Sequence, residues 1–208
     1  MKIKFCGIRR KEDVDFCNTL LPEFMGMILT PGFKRSITAE YAETLVKEKK
    51  SCIKAVGVFV DTTSEKVAEI SKKAFLDVIQ LHGNETAEII KEVKELTGLP
   101  VWKAVRVQNT QDIKNAELLG ADKLVLEGYV SGKAGGTGIT ANWELISKSK
   151  PQIPFFLAGG LTPKNLSAAI NTVKPYGVDF SSGIETDGIK DYKKMQEIVN
   201  IIRGEEYE

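Results

Sequence analysis

One feature constrains this chain more than any other. Short β-branched or apolar runs alternate without interruption with charged segments of helical period, from the first residues to the last. The runs that read as strands fall at 2–6, 23–29, 53–60, 76–81, 100–106, 123–127, 153–157 and 177–181. The helical segments lie near 11–20, 38–49, 64–73, 84–97, 109–119, 140–148, 163–172 and 191–203. Several helices announce their starts: Thr38 precedes Glu40, Thr63 precedes Lys66, Thr110 precedes Asp112, and Thr162-Pro163 couples a capping hydroxyl with proline at the first helical position. No Ser/Pro-rich linker divides the 208 residues, and with 42% hydrophobic and 27% charged residues the chain can bury one full core. Eight strands alternating with eight helices predict an α/β fold, a (β/α)₈ TIM barrel in a single compact domain over 1–208; the smallest such barrels have roughly 200 residues. The competing open, doubly wound sheet usually carries its nucleotide fingerprint in the first turn. Cys6-Gly7-Ile8 carries none.

A barrel predicts phosphate binding in the turns after its last two strands, and that is where glycines gather. Ala158-Gly159-Gly160 follows the seventh apolar run and Ser181-Ser182-Gly183 the eighth, while Gly136 and Gly138 lie in Gly135-Gly136-Thr137-Gly138 further upstream. Glycine lets main-chain N–H groups approach an anion, and a helix starting beyond the turn adds its positive end. Either turn alone also reads as an ordinary strand-to-helix connection; the pair on neighbouring strands favours a small phosphorylated ligand. The near balance of 29 Lys+Arg against 28 Asp+Glu offers no field for nucleic acid. The N-terminus turns polar at Arg9-Arg10-Lys11, and no stretch has the length and apolarity of a membrane span. Three cysteines at no metal-ligand spacing point to free thiols, no metal and a cytoplasmic protein.

Reactive groups of a barrel sit at the C-terminal ends of strands. Alternation places Lys2, Lys4 and Cys6 on one face of the first strand. Lys4 then lies about 7 Å from Cys6 along the strand, where its charge would favour the thiolate. The other reading is a small buried cysteine, which suits Cys17 and Cys52. Glu127 ends the sixth strand and is either the acid partner across the mouth from Cys6 or a loop carboxylate facing water. Asp179 shares a face with Ser181, and Gln80 with His82, the only histidine, which reads as a lining residue. Arg35, in the loop after the second strand, is either a bidentate partner for a substrate carboxylate or a solvated charge. One thiol, one carboxylate and a phosphate cradle, with no metal cluster and no dinucleotide loop, suit proton relocation on a sugar phosphate rather than hydride transfer.

These residues resemble the phosphoribosylanthranilate isomerase family of tryptophan biosynthesis. The resemblance runs from Lys2 to the last helix. It rests on Lys4-Phe5-Cys6-Gly7-Ile8, Val56-Gly57-Val58-Phe59-Val60, Gln80-Leu81-His82-Gly83, Lys103-Ala104-Val105-Arg106-Val107 and Gly135-Gly136-Thr137-Gly138 with Trp143. Leu157-Ala158-Gly159-Gly160-Leu161-Thr162-Pro163 and the final Gly177-Val178-Asp179-Phe180-Ser181-Ser182-Gly183-Ile184-Glu185 complete it. It implies an Amadori rearrangement of N-(5-phosphoribosyl)anthranilate to 1-(2-carboxyphenylamino)-1-deoxyribulose 5-phosphate, with no cofactor. Cys6 matches the family's general base, and Arg35 the arginine that faces the anthranilate carboxylate. Substrate contacts are expected from Lys4, Arg35, Gln80, His82 and Asp179. The phosphate is expected on Gly136, Gly138, Gly159, Gly160, Ser181, Ser182 and Gly183. The family's general acid is an aspartate where this chain has Glu127, one methylene longer; nearby Asp122 matches a structural position before the strand. The alternative that this change raises is a catalytically silent or redirected sugar-phosphate barrel. The expected partner is a small phosphorylated substrate bound by a monomer or homodimer.

Overall fold

Eight parallel strands close on one another in chain order, each returning through a helix on the outside. The computed structural model describes residues 1–128 and 142–204. The strands are β1 (Lys2–Cys6), β2 (Phe24–Ile28), β3 (Lys54–Phe59), β4 (Val78–Leu81), β5 (Val101–Val107), β6 (Lys123–Gly128), β7 (Phe155–Leu157) and β8 (Gly177–Phe180). The helices are α1 (Lys11–Leu20), α2 (Ala39–Glu48), α3 (Ser64–Lys73), α4 (Ala87–Thr97), α5 (Thr110–Glu117), α6 (Trp143–Ser149), α7 (Pro163–Val173) and α8 (Tyr192–Arg203). This is the TIM barrel that the alternation predicts. After β8 the chain adds a 3₁₀ turn, Ser182–Ile184, and a small hairpin of β9 (Glu185–Thr186) and β10 (Ile189–Lys190), which the periodicity does not reveal. Among the described residues, no helix is long and apolar enough to cross a membrane.

The predicted caps hold at Thr38 and Thr63, whose hydroxyls accept from the Tyr41 and Lys66 N–H groups. At α5 the cap moves back one residue to Asn109, which accepts from Gln111 and Asp112, and Thr110 becomes the first helical residue. Strand starts shift for equally local reasons. β7 begins at Phe155 rather than 153 because Pro154 has no N–H to give the ladder, although its carbonyl accepts from Leu124 at 3.1 Å. At the N-terminal mouth, carboxylates take the place of ladder partners: Glu23 accepts from the Ile3 N–H, Asp77 from Ala55 and Asp122 from Val101, at 2.9, 2.7 and 2.7 Å. Asp122 is therefore structural, as expected. Cys17 is buried, but Cys52 is exposed in the turn before β3, so the buried reading of that cysteine fails.

Two apolar layers position the site. One fills the gap between strands and helices. The other lies inside the barrel and is built from alternate strand residues, among them Phe24, Val78, Trp102, Val125 and Phe156. Trp102 stacks on Phe156 with centroids 4.8 Å apart, and Phe24 meets both rings edge-on at 4.9 and 5.6 Å. These three rings close the barrel beneath the strand ends, and the polar residues lie above them.

Candidate active site

Above the aromatic floor the barrel opens into a cavity of about 180 Å³ lined by the ends of several strands. Its walls carry Cys6 from β1, Gln80 and His82 from the end of β4, Glu127 from β6, and Asp179 from β8. Gly159, Gly160, Ser181, Ser182 and Gly183 form part of the rim. These predicted residues, scattered over the chain, meet because parallel strands present all their C-terminal ends on one face.

On the β1 side, Lys4 and Asp179 are register partners on neighbouring strands, and their side chains pair at 2.8 Å with Lys4 fully buried. Lys4 lies behind the cavity wall rather than on it, so the expected substrate contact is not where the structure places this residue; its ammonium is committed to Asp179. Gly26 on β2 makes the room: a Cβ there would sit 3.0 Å from Cys6 Sγ and 3.2 Å from Lys4 Nζ. Burial opposes the Lys4 charge, yet Asp179 and Cys6 outweigh burial and leave its pKa above the ordinary lysine value. Burial pushes the Cys6 thiol up, and the pull of Lys4 toward the thiolate offsets only part of that rise. Lys4 favours the thiolate, as its place on the strand predicts, but burial outweighs it. Lys4 also pairs with Asp179, a contact that the spacing along one strand could not show.

On the β6 side, Glu127 Oε1 receives His82 Nε2 at 2.9 Å and lies 3.5 Å from Arg106 Nε, its register partner on β5. Glu127 is buried in the wall, which settles the alternative of a loop carboxylate in water. Gln80 Nε2 approaches His82 Nδ1 at 3.2 Å. A half-turn of the Gln80 amide would present Oε1, buried and unpartnered among the described residues, to an imidazolium N–H, so either ring protonation state finds a partner. Burial raises the Glu127 carboxyl, but the hydrogen bond and charge of His82 and the charge of Arg106 together bring it below the ordinary carboxylate value.

The two glycine turns fit an anion. Gly159 and Gly160 both take positive φ, 82° and 64°, and at Gly183 a Cβ would lie 1.8 Å from the Leu161 carbonyl oxygen, so the two turns touch through bare backbone. Among the described residues, the N–H groups of Gly160, Ser182 and Gly183 have no backbone acceptor. Gly136 and Gly138 lie outside the described residues. Arg35 reaches the cavity, but its Nε and Nη2 donate to both oxygens of Glu185, at 2.7 and 2.6 Å. Lys190 Nζ joins the same carboxylate at 2.7 Å and the Ser181 carbonyl at 2.9 Å.

The sequence reading missed Gly26, Arg106, Glu185 and Lys190. For Arg106 a signal existed, because the alternation of Trp102 and Ala104 into the barrel continues to it.

Comparison with known proteins agrees with this fold. Residues 3–201 match the family model described as N-(5′-phosphoribosyl)anthranilate (PRA) isomerase. An N-(5′-phosphoribosyl)anthranilate isomerase of Acetivibrio thermocellus is 42% identical over 97% of this chain and 95% of its own. The crystal structure of phosphoribosyl anthranilate isomerase from Thermotoga maritima superposes with a TM-score of 0.90 at 31% identity, covering 98% of this chain and 99% of that one. A phosphoribosyl anthranilate isomerase in complex with reduced 1-(o-carboxyphenylamino)-1-deoxyribulose 5-phosphate superposes at 0.86 with 30% identity, over 98% of this chain and 99% of that one.

Proposed function

Because the chain belongs to the N-(5′-phosphoribosyl)anthranilate isomerase family, whose enzymes serve tryptophan biosynthesis, we propose that Cys6 and Glu127 are the general base and general acid of its Amadori rearrangement. One observation carries the assignment: a thiol from β1 and a carboxylate from β6 face a single cavity whose rim is formed by the turns after β7 and β8. Glu127 gives its proton to the furanose ring oxygen of N-(5-phosphoribosyl)anthranilate as the bond from that oxygen to C1 breaks, leaving a Schiff base with the anthranilate nitrogen. The Cys6 thiolate then removes the C2 proton. The electron pair of that C–H bond flows toward the nitrogen to give an enolamine, which tautomerises to the ketone. A positioned acid or base of this kind contributes roughly 10²–10⁴-fold each.

The phosphate is held by the N–H groups around Gly160, Ser182 and Gly183, at the start of the 3₁₀ turn. Gln80 and His82 form the wall beside the acid, Asp179 the wall beside the base, and Arg35 faces the anthranilate carboxylate. The working protein is a monomer or homodimer of the cytoplasm. Turnover of phosphoribosylanthranilate, generated in situ, tests the assignment in wild type, Cys6→Ser and Glu127→Gln. Wild-type activity that collapses in both variants supports it; full activity in either removes that residue from its role.

A further inference from the structure

Glu185 is a held charge at the mouth that the acid and base do not use. It sits at the start of β9, immediately after the 3₁₀ turn, with its side chain only 6% exposed. One oxygen receives Arg35 Nε and Lys190 Nζ, both at 2.7 Å, and the other receives Arg35 Nη2 at 2.6 Å. Arg35 comes from the loop after β2 and Lys190 from β10, so a single carboxylate ties together two segments that no ladder joins directly. The stem of Arg35 is fixed as well, because it lies against Gly7, where a Cβ would come within 2.6 Å of its Cδ.

Two roles are open to such an anion. As a latch, it would occupy Arg35 until a substrate carboxylate displaced it. As a brace, it would aim the guanidinium and stay in place. The geometry favours the brace. Glu185 grips one edge of the guanidinium in a two-pronged pair and leaves Nη1 unengaged among the described residues. Displacing Glu185 would also strip Lys190, whose side chain is 1% exposed, of its anion. Although burial works against it, Arg35 and Lys190 hold the Glu185 carboxyl down to about 2, so it stays ionised in the working range.

We propose that Glu185 is a positioning residue for substrate recognition, bracing Arg35 so that the outer edge of its guanidinium meets the aromatic carboxylate of the substrate. This rests on the reading of Arg35 given above. Calorimetric titration tests it with two ligands: reduced 1-(o-carboxyphenylamino)-1-deoxyribulose 5-phosphate, which carries the aryl carboxylate, and ribulose 5-phosphate, which does not. Arg35→Ala and Glu185→Gln are each expected to weaken the first ligand about tenfold while leaving the second nearly unchanged. The double variant is expected to bind no more weakly than Arg35→Ala alone. Tighter binding of the first ligand by Glu185→Gln would establish the latch instead, and equal loss for both ligands would reduce Glu185 to general support of the mouth. If Arg35→Ala has no effect, the Arg35 reading itself fails. If Arg35→Ala is selective and Glu185→Gln is silent, only the brace fails. Should Glu185→Gln not fold, Arg35→Lys keeps the charge without the two-pronged grip, and the same selective loss is expected; wild-type affinity would overturn the proposal.

Discussion

On the β1 wall of the cavity a lysine with no exposed surface and an aspartate close around a thiol, whereas on the β6 wall the carboxylate is held by a histidine and an arginine that both reach solvent, with side chains 18% and 31% exposed. The first wall is dry and internally neutralised. Its lysine spends its charge on Asp179, and burial governs the thiol. The second is wetter and carries an excess of potential positive charge, which governs the carboxylate despite burial. In the resting site the proton therefore belongs to Cys6 rather than to Glu127. The arrangement that the proposed roles require, Glu127 protonated and Cys6 ionised, has the same total charge and is the minority form. The contrast shows that the pair is poised by opposite means, exclusion of water on one wall and added charge on the other.

The sharpest way to break the comparison is to remove the thiol. Cys6→Ala is expected to lower kcat/KM about 10³-fold, the middle of the range for a positioned base, while circular dichroism stays that of wild type. Next comes stability. Asp179→Asn leaves a buried lysine without its anion and is expected to cost roughly 3–5 kcal/mol in denaturant unfolding. Arg106→Met, at the partly exposed pair, should change stability by less than about 1 kcal/mol. Equal losses would erase the distinction between a dry and a wet wall. Smaller again is Glu127→Asp, which withdraws the carboxylate from His82 and is expected to lower kcat about tenfold; an unchanged rate would mean that the longer acid is merely accommodated.

The smallest effect is on pH dependence, and its sign follows from the same contrast. Below the Glu127 pKa the acid is already protonated, and further acidification only protonates the Cys6 thiolate, so the acidic limb of kcat/KM reports Glu127. His82→Phe removes the donor that holds this carboxyl down, so the carboxyl rises. The acidic limb should move to higher pH, while the alkaline limb, which reports Cys6, stays in place. Movement of both limbs would show that the two walls titrate together.

Much of this was legible in the chain because it depends on short-range pattern. Alternation fixed which residues of each strand point inward, and so placed Cys6, Gln80, Glu127 and Asp179 on one cavity. What escaped depends on pairs distant in sequence. Lys4 and Cys6 share a strand face, but that Asp179 captures the lysine follows only from the β1–β8 register. The Glu185 and Lys190 carrier is a hairpin of two-residue strands turning at Asp187 and Gly188, too short to show any period. Gly26 did leave a trace, a glycine within an apolar strand, which marks close approach by something else. Here that is the thiol and the ammonium together.

The floor of Phe24, Trp102 and Phe156 has a kinetic meaning as well as a packing one. Among the described residues the barrel is closed from below, so substrate and product share the open end of the cavity. A product molecule waiting to leave stands where the next substrate must enter, so product is expected to raise KM and leave kcat unchanged in initial-rate measurements.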